Sequence, residues 1–191
     1  MASTDTELST APTQAVTSTK QRGFSLIELL IVVAIIVIIV TMAIPSFTTY
    51  MRNTNETSAA NSLARIREAE AQYQTMFPAK GFADNLGQLG NGGLANGTSC
   101  APAPEHACIL ENTLSTGIKQ GYKFVAQGGS PVNGINQTYA AGAAPLSYNH
   151  SGARLFCITS EDSQIRVDAN LGGSTTPPSG TVCLSGQFSP M

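Results

Sequence analysis

The chain has 191 residues and a net charge of −2 at pH 7, and only 12 % of its residues are charged, against about 25 % in an ordinary soluble domain. It has no tryptophan and no Lys/Arg cluster, which argues against nucleic acid as a ligand. The length suits one globular domain plus an accessory element, and the apolar residues crowd into 24–45 whereas Gly and Pro fall nearly all after residue 77.

Residues 1–19 are rich in Ser and Thr and lack an apolar period, the composition of a disordered segment. From Phe24 to Ile44 the chain reads FSLIELLIVVAIIVIIVTMAI, 21 residues with one charge. About 20 such residues cross a bilayer core. A buried core helix would be shorter and carry a polar stripe. A cleaved secretory signal would have an apolar region of about 7–15 residues ending in small residues, whereas this run ends in Ile44-Pro45. The run therefore reads as a retained membrane helix. Lys20 and Arg22 precede it and the first charge beyond it is Arg52, so the positive-inside tendency keeps the N-terminus cytoplasmic.

Glu28 is the one charge within the run. A carboxylate deep in lipid costs about 2.5–3.5 kcal/mol on insertion scales, so Glu28 calls for a cationic partner. Pro45 removes a backbone donor and crowds the preceding turn, which predicts a kink there. Beyond it, Phe47, Tyr50, Met51, Thr54, Ser58, Leu63, Ile66, Ala69, Tyr73 and Met76 recur at spacings of about 3 to 4. Residues 46–77 thus read as an amphipathic helix. Arg52, Glu56, Arg65, Arg67, Glu68 and Glu70 fall mainly off this stripe, with Arg52 and Glu56 forming an i,i+4 pair. Pro78 and Gly81 end the helix.

Residues 81–107 are a Gly/Asn/Ala/Pro-rich loop between helix and sheet. Strands are expected at Gly121–Gln127, Gln137–Ala143, Arg154–Thr159 and Gln164–Asp168, separated by the turn segments GGSPVNG, PLSYNHSG and SED. Short successive strands and a single covering helix predict an α+β fold, with an antiparallel sheet packed on the amphipathic half of the helix. Four cysteines, Cys100, Cys108, Cys157 and Cys183, lie on the outward side, where an even count implies disulfides. Three pairings are open. Cys100–Cys108, closing the loop before the sheet, and Cys157–Cys183, tying the tail to the sheet, are favoured. Zinc lacks the CxxC or His spacing, with His106 and His150 isolated. Calcium would have only Glu161, Asp162 and Asp168, which suit a solvated turn. No catalytic, cofactor-binding or nucleotide-binding motif is present, so no enzyme activity and no cofactor are expected.

The stretch KQRGFSLIELLIVVAIIVIIVTMAIP closely resembles the N-terminal region of type IV prepilins, with a type IVa-like, class III signal. The family pattern is a basic leader ending in Gly (here Gly23), then Phe24, an acid at the fifth position from Phe24 (Glu28) and a proline at the twenty-second (Pro45). The likeness covers roughly residues 20–75. The leader is longer than the common short type and contains Asp5 and Glu7.

The resemblance implies a pilin roll divided into a cleaved leader (1–23), a membrane and filament-core helix (24–45), its amphipathic half (46–77), an αβ loop (78–120), an antiparallel sheet (121–170) and a disulfide-tied tail (171–191). A prepilin peptidase would cut between Gly23 and Phe24 and N-methylate Phe24. The new Phe24 amine of a neighbouring copy would then meet Glu28, a homo-oligomeric contact in a helical filament. The implied function is a structural type IV pilus subunit serving adhesion, twitching motility or DNA uptake. A type II secretion pseudopilin or a minor pilin is the alternative. The implied partners are an inner-membrane assembly platform and an assembly ATPase, since the chain has no nucleotide site of its own. The precursor would reside in the bacterial inner membrane and the mature form in an extracellular pilus.

Overall fold

The structure is a computed structural model that describes residues 23–93 and 99–191, without the side chains of residues 43–46. Most of the expected leader and the kink expected at Pro45 lie outside the described residues. The chain falls into two units, one ending at Met42 and the other spanning Ala43–Met191. Helical backbone (α1) runs over Leu26–Met76. As a membrane crossing it counts as two segments, Leu26–Met42 and Phe47–Met76, which satisfy length and composition together and not singly.

In the second unit, α1 packs through Ala59, Ala60, Leu63, Ile66, Ala69 and Tyr73, all buried. Phe47, Tyr50, Met51 and Met76, expected on the same stripe, are exposed. The buried face instead includes two acids, Glu56 and Glu70, one heptad either side of Leu63. Seven residues are nearly two full turns, so all three side chains share one face. Glu56 does not pair with Arg52 as the i,i+4 spacing suggests. Its Oε2 accepts from Arg154 Nε and Nη2, both at 2.7 Å, and its Oε1 accepts from the Ala153 and Arg154 amides. Arg52 Nη1 donates instead to the Asn149 carbonyl, and Asn55 Nδ2 to that of Ser151. The segment 149–154 is thereby laced onto one turn of α1. Tyr122 joins this cluster, donating to the Arg154 carbonyl, and burial pushes its phenol up, with Glu56 adding to the effect.

The segment read as a plain αβ loop carries local structure. One-turn helices at Leu86–Leu89 (α2) and Asn112–Ser115 (α3) put Leu86, Leu89 and Leu114 into the core. Asn85 caps the first of these by accepting from the Gln88 amide, the favoured role of Asn at that position. The sheet is a six-stranded antiparallel meander in sequence order: β1 (Ile118–Lys119), β2 (Tyr122–Val132), β3 (Ile135–Pro145), β4 (Leu155–Thr159), β5 (Arg166–Asp168) and β6 (Ser189–Pro190). The GGSPVNG stretch is not a wide turn. Gly128, Gly129, Pro131 and Val132 stay paired with β3, Ser130 stands between them without a register partner at φ 48°, and Asn133-Gly134 turn, at φ 52° and 77°, the conformation that favours Asn-Gly in two-residue hairpins.

Strand β4 is buried along its whole length. Phe156 and Ile158 face the helix-side core, while Leu155 and Cys157 join Ala144, Cys183 and Phe188 on the opposite side. The tail, with its one-turn helix α4 (Gly180–Cys183), therefore forms a third layer. It comes close at Gly142, the register partner of Cys157, where an added Cβ would stand 2.3 Å from the Pro178 carbonyl oxygen. Disulfides join Cys100 to Cys108 and Cys157 to Cys183.

Two outcomes follow for stability. Arg154→Met strands the Glu56 carboxylate and should lower the unfolding free energy of the full chain in detergent by about 3 kcal/mol. Adding Glu56→Leu should recover only part of that, because the Ala153 and Arg154 amides lose their acceptor; denaturant midpoints measure both. Replacing Cys157 and Cys183 together by Ala should cost about 2–4 kcal/mol and reduce amide protection at Cys183 and Leu184, read by hydrogen exchange.

Candidate processing and assembly site

Gly23, Phe24 and Ser25 precede the first turn of α1, and the Ser25 carbonyl accepts from the Leu29 amide at 3.2 Å. A Cβ at Gly23 would meet nothing within 4 Å, so no packing among the described residues requires a glycine there. Phe24 is 85 % exposed. The Gly23–Phe24 junction is thus an exposed, non-helical segment joined to a helix, accessible to a protease cleft.

Glu28 lies in the first turn of α1, where the amide dipoles favour a negative charge. Among the described residues no hydrogen bond or ion pair involves its carboxylate. Every Leu, Ile and Val from Leu26 to Val40 is between 45 % and 82 % exposed. Thr41 meets its own polar need locally, donating to the Ile38 carbonyl at 2.8 Å. The described part of the first unit is therefore an uncovered apolar helix with one acid near its start. While the Gly23–Phe24 bond is intact, the Phe24 nitrogen is a neutral amide. Cutting that bond is the one change within this segment that would create a cation beside the apolar run.

Phe47 and Tyr50 are exposed, whereas Tyr73 is buried, donates to the Pro104 carbonyl at 2.7 Å and stacks at 5.1 Å on Phe77. Its phenol is pushed up to about 12, chiefly by burial. Among the described residues no group of three or more His, Cys, Asp or Glu is placed to hold a metal. Of the three acids weighed for calcium, Asp162 is taken by Arg166, at 2.9 Å from Nε and 2.5 Å from Nη2. The hydrogen bond from Arg166 holds its carboxyl below the usual range. The buried acids Glu56 and Glu70 escaped the periodicity analysis because charged residues are ordinarily assigned to solvent. Their heptad spacing about Leu63 was the available signal.

The family described as the prokaryotic N-terminal methylation motif matches residues 18–44, which contain Gly23, Phe24 and Glu28. The fimbrial protein EcpC of Eikenella corrodens is 29 % identical over 139 residues, covering 70 % of this chain and 91 % of that protein. No solved structure matches the chain. A long N-terminal helix whose second half packs on an antiparallel sheet is consistent with the α+β pilin fold, and the methylation motif at residues 18–44 runs into the first half of that helix. The motif and the likeness to a fimbrial protein support a resemblance to type IV pilins.

Proposed function

We propose that the chain is a structural subunit of a type IV pilus. It is made as a bacterial inner-membrane precursor, cut between Gly23 and Phe24 by a prepilin peptidase, N-methylated at Phe24 and polymerised into an extracellular filament. The observation that carries this reading is the uncovered apolar surface of Leu26–Val40 with its lone acid at Glu28. Lipid covers that surface in the precursor. In a filament the same surface is covered by equivalent helices of other copies, and the acid must then be neutralised from a neighbour.

The Phe24 amine released by cleavage supplies that charge. Two unit charges about 4 Å apart at an effective dielectric near 20 attract by about 4 kcal/mol, and desolvation of both groups offsets much of it. The main contribution of the pair is to register. Helices with uniform Leu/Ile/Val surfaces can slide along one another, and one axial offset alone neutralises both groups. The expected weakness at Pro45 gives the globular unit freedom to settle around such a bundle. An assembly platform and a partner ATPase provide energy for extension and retraction.

Mass spectrometry of purified surface filaments tests the proposal. A main component beginning at N-methylated Phe24 is expected. The same mature chain as a trace component would mark a minor pilin, and its confinement to the cell envelope with a secretion apparatus would mark a pseudopilin. A chain retaining residues 1–23 would overturn the processing step. Glu28→Ala should be inserted and cleaved normally yet enter filaments poorly alongside wild-type subunits. Filament yield equal to wild type would remove the register role.

A further inference from the structure

The assembly reading makes no use of Glu70, which is fully buried on the sheet-facing side of α1. Its Oε2 accepts a hydrogen bond from the Ala83 amide at 2.9 Å, and its Oε1 is buried without a partner among the described residues. The bond from Ala83 ties the segment 81–84 to the helix. On the far side, β3 ties down the same segment through Asn136. Its carbonyl accepts from the Phe82 amide at 3.2 Å, and its Nδ2 donates to the Phe82 carbonyl at 2.9 Å and to Asp84 Oδ1 at 2.7 Å. Phe82 also stacks on Tyr139 at 4.9 Å. The 81–84 segment is thus held from two sides, by an amide that cannot titrate and by a carboxyl that can.

We propose that Glu70 is an alkaline-sensitive latch: its protonated carboxyl docks the 81–84 segment against α1, and loss of that buried proton loosens the segment. With the proton in place, Oε1 is a hydroxyl lacking an acceptor. Without it, a full charge sits in an apolar setting with one hydrogen bond, a much costlier state than an unpaired neutral group. Among the described residues the Ala83 amide alone relieves that charge. Asp84, on the segment itself, repels it. Tyr139 from β3 and Tyr73 from α1 face it as neutral phenols, and Glu105, from the loop closed by Cys100–Cys108, adds negative potential at Tyr73. Arg67 is engaged elsewhere, donating to the Ser163 carbonyl at 2.8 Å. Oε1 is closed to solvent, and the segment is packed closely on its Asn136 side, where an added Cβ on Gly81 would lie 2.0 Å from the Asn136 carbonyl oxygen.

The linkage runs in one direction. Burial holds the Glu70 carboxyl up at about 8, from an ordinary value of 4.5. The folded chain therefore keeps a proton that the unfolded chain has released. Below about 4.5 both states are protonated and Glu70 contributes no penalty. As pH rises from there to about 8, the folding equilibrium constant falls by up to about tenfold per pH unit. Above that range the penalty is constant.

Hydrogen exchange followed by NMR on the full chain in detergent micelles, from pH 6 to 9, tests the latch. After correction for base-catalysed intrinsic exchange, protection of the Ala83 amide should fall at least tenfold in wild type and stay flat in Glu70→Gln. Equal profiles in the two proteins overturn the proposal. A second measurement needs no variant at Glu70: its side-chain carboxyl carbon, followed by NMR in the wild-type chain, should titrate well above the ordinary glutamate range. Asp84→Asn should lower that midpoint. A midpoint below pH 6, or one that ignores Asp84, also overturns it.

Discussion

A carboxylate withdrawn from water must be answered by a cation, by a set of donors or by a proton, and α1 poses that demand at three positions. At Glu56 the answer is a guanidinium and two main-chain amides drawn from the segment 153–154. At Glu70 it is one amide and, as proposed, a proton. At Glu28 the described chain contains no answer, and the reading favoured above takes it from another copy. The first two acids hold a distant loop and a nearby loop, and the third, under the proposed assembly, meets another copy. The helix that forms the core of the globular unit would then also carry the determinant of that proposed assembly.

Much of this was legible in the sequence where the signal is local. The apolar run from Phe24, the lone Glu28, the positions and order of the central strands and the end of the helix near Phe77 all arise from composition and short-range periodicity. The misses came where the partner is remote. Glu56 meets residues 97 and 98 positions away, so it was paired on paper with Arg52, its near neighbour on the helix. Glu70 was assigned to solvent because its neutralisation depends on burial by other elements. Phe47, Tyr50 and Met51 fit the helical stripe yet lie beyond the reach of the sheet, so an apolar residue at the right spacing stays uncovered. The hairpin was cut short because Gly128, Gly129 and Pro131 are poor strand formers, and ten register pairs with β3 override that preference.

The tail repeats the lesson in a different form. Residues 171–191 contain few apolar side chains, and nothing in their periodicity announces a layer. Their placement depends on features of other segments. Gly142 leaves room for the Pro178 backbone, Cys157 supplies a covalent anchor for Cys183, and β5 offers an edge on which Ser189–Pro190 can pair. Covering β4 on both faces protects a strand whose Leu155 and Phe156 would otherwise present apolar surface on each side of the sheet.

The β2–β3 hairpin extends past its neighbours: β1 pairs with β2 only at Tyr122 and Lys123, and β4 pairs with β3 only at Ala140–Ala143. Its tip, Ser130–Gly134, is fully on the outside. Foreign peptides grafted between Asn133 and Gly134 would disturb a two-residue turn and spare the layers beneath, which makes this tip a rational site for displaying epitopes or affinity handles.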